Sequence, residues 1–209
     1  MAVMRHVGTL PGDGSGATRN ITGIEVARTG AGLVAVGVSG IDGGLSTWRL
    51  ADAGTLASRA GYTPHPVSLG HMVEPDATIV QIGNGLAGFG FGMRHAATRG
   101  TGFDDRGQPG GTATLTGLPG DIVAAAAARL GEASVLLTAR AEGAALQSWR
   151  IEANGAAKLI SAGVMPSGLA PGARIADVEI VEAGGRRFAL AVSTNGNFVS
   201  SQEIGADGR

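Results

Sequence analysis

Four prolines, Pro11, Pro64, Pro119 and Pro166, each close a short strand-like stretch: VMRHVGTLP, TLASRAGYTP, GTATLTGLP and AAKLISAGVMP. The gaps between them are 53, 55 and 47 residues, and the path from Pro166 through the two termini to Pro11 adds another 54. A period near 50 residues is the size of one four-stranded propeller blade. A repeat that closes through its own termini predicts a ring. The expectation is an all-β propeller of about four four-stranded blades, at about 20–66, 73–118, 121–166, and 174–209 joined by 1–11. In that ring the N-terminal strand pairs with the last blade and hides two sheet edges.

Within the first unit, ITGIEVA alternates apolar and polar residues, GLVAVGVSG is rich in valine, and LSTWRL and TLASRAGY follow after Gly- and Asp-bearing turns. Four short strands joined this way predict an antiparallel meander. The third unit repeats the plan with DIVAAAAARL, SVLLTARAEG, ALQSWRIEANG and AAKLISAGV. The second unit has drifted, and Phe103 is read there in the tryptophan position. By composition IVAAAAARL favours a helix, but the repeat places it as the innermost strand of its blade, where small side chains suit a crowded centre. The stretch TRGTGFDDRGQPGG, with Asp104, Asp105 and Arg106, interrupts the repeat and reads as a partner contact or a tolerated long loop.

The charge balance excludes some partners. With 16 Lys and Arg against 17 Asp and Glu and no basic block, nothing favours a nucleic-acid backbone or an anionic membrane surface. No run approaches the 18 or so apolar residues of a membrane span, and MAVMRHVGTLPGDG carries no apolar leader core. A soluble protein is expected, either cytoplasmic or exported without a classical signal. The absence of cysteine removes disulfides, thiolate nucleophiles and Cys-ligated zinc.

The paired motifs GGLSTWRLADAGTL and AALQSWRIEANGAAKL, in which Trp48 matches Trp149 and Arg49 matches Arg150, resemble the strand–turn–strand signature of lactonase-like (YVTN-type) propellers. The Gly-rich wording is also similar to propeller regions of secreted RTX-type proteins of alphaproteobacteria. The resemblance implies a propeller. It brings no RTX calcium nonapeptide, and no lactonase catalytic motif matches residue by residue.

Chemistry must therefore come from convergence in the fold. No GxSxG, HExxH, P-loop or EF-hand motif occurs, and GDGSG at 12–16 reads as an interblade connection because no helix follows it. Three constellations are candidates. Connections between second and third strands share a face with the interblade connections, and would present Asp42, Arg94, His95, Arg99, Arg140, Glu142, Asn195 and Asn197 to a polar ligand such as a sugar. The innermost strands carry Glu25, Gln81 and Glu179, aligned by repeat, with Asp177 two residues before Glu179. Such residues share a face, so Glu25, Asp177 and Glu179 are candidates to hold a divalent cation in a central channel. His65, His71, Glu74 and Asp76 cluster in one connection, read as an exposed polar loop before a metal site. Trp48 and Trp149 read as packing between sheets before sugar stacking.

The expected function is a non-enzymatic binding or assembly module presenting its loop face to a glycan or protein partner. Its alternatives are a lactonase-like metal-dependent hydrolase and a half-ring completed by a homo-oligomer.

Overall fold

The computed structural model describes residues 20–40, 43–51, 56–64, 76–92, 98–142, 145–163, 172–195 and 198–209. These are all strand, turn and coil, without a helix, in four antiparallel sheets arranged as a four-bladed β-propeller. Blade 1 runs β1 (Ile21–Thr29), β2 (Gly32–Ser39), β3 (Leu45–Leu50) and β4 (Leu56–Thr63). Blade 2 runs β5 (Asp76–Ile82), β6 (Gly85–Phe91), β7 (Thr98–Phe103) and β8 (Pro109–Leu115). Blade 3 runs β9 (Ile122–Leu130), β10 (Ala133–Arg140), β11 (Leu146–Ile151) and β12 (Ala157–Ala162). In blade 4 the described strands are β13 (Ile175–Ala183), β14 (Arg186–Ser193) and β15 (Val199–Ile204), in that order. The N-terminal strand expected to close the ring lies outside the described residues.

The alanine-rich segment is β9, paired along its length with β10. Ala124, Ala125 and Ala126 are at most 3% exposed, pressed between neighbouring blades. Helix propensity favours alanine by only tenths of a kcal/mol per residue over most alternatives, so burial between two sheets overrides it. Small side chains there let three inner strands approach one another.

The junctions between blades 1 and 2, 2 and 3, and 3 and 4 are apolar layers. Val34, Val36 and Val38 of β2 pack on Ala77 and Ile79 of β5. Ala87, Phe89 and Phe91 of β6 meet Ala125 of β9, with Leu136 and Trp149 behind. Val135, Leu137 and Ala139 of β10 meet Val178, Ala189 and Ala191 of blade 4. Alternate residues of each sheet thus face the next blade, the period of two expected of strands. Between blades 4 and 1 the described residues form no such layer. Ile24, Val26 and Val199 are 62%, 47% and 74% exposed. Leu45 and Leu146, which pair with β2 and β10 as Val199 pairs with β14, are buried.

Register corrects one reading of the drifted second blade. Trp48 opposes Ala35, three residues after β2 begins, and Trp149 opposes Leu136 likewise. The matching residue opposite Gly88 is Thr101, whereas Phe103 opposes Leu86, as Leu50 opposes Leu33. Phe103 therefore stands two residues beyond the tryptophan position. Both tryptophans are buried, and the Trp149 indole N–H donates to Thr138 Oγ1 at 2.9 Å. They are core residues.

TRGTGFDDRGQPGG is also no free loop. It forms β7, a tight turn and the first three residues of β8. Asp104 builds the turn: its Oδ1 accepts from the Arg106 and Gln108 amides at 2.8 and 2.9 Å. The turn reaches across to blade 1, where Thr29 Oγ1 donates to the Asp105 carbonyl at 2.6 Å.

Candidate functional site

The inner strands β1, β5, β9 and β13 all begin at the end where the second-to-third-strand connections lie, since Ile21 opposes Ser39, Asp76 opposes Phe91, Ile122 opposes Arg140 and Ile175 opposes Ser193. A cavity of about 410 Å³ is lined by the first residues of all four: Thr22, Gly23, Ile24, Asp76, Val123, Ala176, Asp177 and Glu179. Four carboxylates act on one another here. Burial, then Glu179, Asp76 and Asp177, push the Glu25 carboxyl from 4.5 up to about 7. Burial chiefly raises Asp76 from 3.8 to about 6, against two backbone amide bonds that pull it down. Glu179 is raised by burial and then by Asp177. Removing a carboxylate from water beside like charges favours the neutral acid, which explains all three directions.

Asp76 was read with the neighbouring histidines as part of an exposed loop; that assignment is corrected. It is half-buried, with Oδ1 accepting from the Ala77 amide at 2.9 Å and Oδ2 accepting from the Ala125 amide of blade 3 at 2.9 Å. Asp177 occupies the same position in blade 4, its Oδ1 accepting from the Val178 amide at 2.8 Å. His65, His71 and Glu74 lie outside the described residues.

The alignment of Gln81 with Glu25 and Glu179 does not hold. Counted back from the hairpin turns, Glu25 and Glu179 correspond to Thr78, whose hydroxyl donates to the Ala125 carbonyl at 3.0 Å. Gln81 stands at the opposite end of the strand, accepting from Arg129 Nη1 at 3.2 Å. Spacing along the chain missed this because unit lengths differ and only the hairpin turns set the common origin.

Asp177 and Glu179 thus line one cavity with Glu25 beside it, although no group of three His, Asp or Glu side chains among the described residues is arranged to hold a metal ion. Of the loop residues, Arg99 is the second residue of β7 and is exposed, Glu142 and Asn195 are exposed in turns, and Arg140 ends β10. All four sit at the cavity's end of the ring, distributed over blades 2, 3 and 4. Arg140 Nε and Gln147 Oε1 are buried without a hydrogen bond among the described residues. Asp42, Arg94, His95 and Asn197 lie outside the described residues.

No protein-family profile matches the sequence, and no curated protein matches it. Solved structures do. A functionally unknown protein from Desulfotomaculum acetoxidans matches with TM-score 0.52 at 14% identity, over 89% of this chain and 52% of that one. An endo-arabinase from Bacteroides thetaiotaomicron matches with TM-score 0.56 at 11% identity, over 93% and 78%. An exo-1,5-alpha-L-arabinanase from a bovine ruminal metagenomic library matches with TM-score 0.50 at 13% identity, over 87% and 73%. The chain spans about half the length of the first of these. Likeness at such identity shows the shared fold, a β-propeller.

Proposed function

We propose that the protein binds an oligosaccharide at the mouth of the central cavity, on the face built by the strand starts and the second-to-third-strand turns. The observation that carries this reading is the convergence of Asp76, Asp177 and Glu179, from two blades, on one open cavity, with Glu25 of a third blade close enough for its carboxyl to respond to all three. Carboxyl groups fixed by a rigid sheet accept and, when protonated, donate hydrogen bonds to sugar hydroxyls. Glu142 and Asn195 extend the polar surface around that mouth. The propeller neighbours named as an endo-arabinase and an exo-1,5-alpha-L-arabinanase support carbohydrate as the ligand class.

Isothermal titration with 1,5-arabino-oligosaccharides tests the reading. Binding is expected, and Glu25→Gln and Glu179→Gln are expected to weaken it about tenfold by removing a charge-assisted hydrogen bond. Heat-silent titrations across several chain lengths would sink it.

One observation favours a second reading, glycoside hydrolysis. A carboxyl titrating near 7, as Glu25 does, retains its proton at the pH where a neighbouring carboxylate is needed as base or nucleophile. A reducing-end assay on arabinan separates the two readings. Product release that disappears in Glu25→Gln supports the hydrolase, and tight binding without release leaves a lectin-like module.

A further inference from the structure

A second cavity opens between blades 1 and 2 at the same end of the ring. It holds about 110 Å³ and is lined by Gly43, Leu45, Thr63, Pro64, Arg99, Gly100, Thr101 and Thr112. Four of these side chains carry hydrogen-bonding groups: Arg99 and the three threonines. Among the described residues none of the four makes a side-chain hydrogen bond or ion pair. Elsewhere at the blade junctions such groups are used. Thr47 and Thr78 both bond across to the next blade, and Arg129 reaches Gln81.

The register explains why the cavity exists. Position 100 corresponds to Thr47 and Ser148, counted from the hairpin turns, and in blade 2 it is glycine. A Cβ at Gly100 would stand 2.6 Å from the Phe89 ring, so the backbone there runs without a side chain. Next to it, Thr101 takes the place of the bulky Trp48 and Trp149. At that position blade 2 thus carries a small residue where blades 1 and 3 carry tryptophan.

From this we infer that the cavity between blades 1 and 2 is a subsite for the carboxylate of an acidic sugar, a uronate residue of a glycan. The inference rests on the carbohydrate reading above and names a ligand class for it. A guanidinium presents paired N–H donors that match a planar carboxylate, and threonine hydroxyls supply further donors without adding charge. Leu45 and Pro64 offer an apolar wall to the C–H face of the sugar ring. A single cation with neutral hydroxyls suits a monoanion better than a phosphate dianion. The exposed position of Arg99 leaves room for the rest of the glycan to run along the loop face toward the carboxylate cavity.

The test is a nitrogen-15 NMR titration with D-galacturonic acid, with galactose and inorganic phosphate as parallel probes. Galacturonate is expected to shift the Gly43, Gly100 and Thr101 amides, and galactose is expected to leave them in place. Arg99→Gln should weaken galacturonate binding about tenfold or more, and Arg99→Lys by several-fold, because lysine keeps the charge but loses the paired donors. Arg99 is exposed at the start of its strand, so both variants should keep the wild-type melting temperature. The proposal is overturned if galacturonate moves none of these amides, if phosphate competes equally well, or if Arg99→Gln binds as the wild type does. Neutral arabino-oligosaccharide binding should survive Arg99→Gln. If such binding is absent while galacturonate still moves the three amides, the central-cavity reading fails and this subsite stands.

Discussion

The hydroxyl of Thr47 in blade 1 donates to the carbonyl of Gly107, 60 residues later in the turn of blade 2, at 2.6 Å. Ser148 in blade 3 repeats the bond to Gly208, again 60 residues later, at 2.5 Å. Both acceptor glycines have positive φ, 77° and 86°, so the carbonyl faces back toward the preceding blade in a backbone that glycine adopts without strain. Both turns close the same way: the Gly107 amide reaches the Asp104 carbonyl, and the Gly208 amide reaches that of Gly205. These are interblade latches. Thr47→Val and Ser148→Ala should each cost about 1 kcal/mol, because each leaves a buried carbonyl without its donor. The double variant should lose close to the sum, since the sites lie at different junctions. Chemical denaturation of the three variants checks this.

Phe89 is fully buried, and its ring lies 6.3 Å from that of Phe91 in the layer between blades 2 and 3. Phe89→Ala should destabilise the protein by about 3–5 kcal/mol through lost burial and a residual cavity. That is a large part of a typical domain's stability. The expected outcome is a steep drop in melting temperature; a fall of a degree or two would show that the layer collapses around the gap.

Stability should fall as pH rises from about 4.5 to 7. Glu25 and Asp76 hold their protons more tightly in the folded chain, with values of about 7 and 6 against 4.5 and 3.8. Below the lower values both states are protonated and nothing is lost. Between the two sets of values the folded state binds more protons than the unfolded one, so raising the pH favours unfolding. Glu25→Gln should flatten this dependence and raise the melting temperature at pH 7.5 more than at pH 4.5. Scanning calorimetry at the two pH values decides it, and a melting temperature that rises between pH 5 and 7 in the wild type would contradict the arrangement.

Asp104→Ala should loosen the turn that seats blade 2 on blade 1. The carboxylate satisfies two amides that nothing else in the turn reaches. A loss of about 0.5–2 kcal/mol is expected, the range for removing a side-chain cap from backbone donors. Amide exchange at Arg106 and Gln108 should speed up well before the strands are affected.

Much of the architecture was legible in the chain. Alternation in ITGIEVART and the valines of GLVAVGVS announce an inner strand and its buried neighbour, and proline-closed units announce the blades. Less of the site was legible. Asp177 and Glu179 share the cavity wall because alternate strand positions share a face. Asp76 was missed although ATIVQI follows it as VEIVEA follows Asp177, for the histidines before it suggested a loop. Phe103 and Gln81 were misplaced because a glycine-rich strand offers no side-chain pattern from which to count register.

Sequence alone determined the period and the strand character of most segments. Those follow from local sterics and from the two-residue alternation of a pleated strand. Tertiary structure decided which carboxylates meet and where a small residue of blade 2 leaves a cavity. These depend on register counted from each hairpin turn and on contacts between residues 47 to 76 positions apart, such as Thr78 with Ala125 and Thr29 with Asp105. No local pattern encodes such distances; they are set when the apolar faces of consecutive sheets pack.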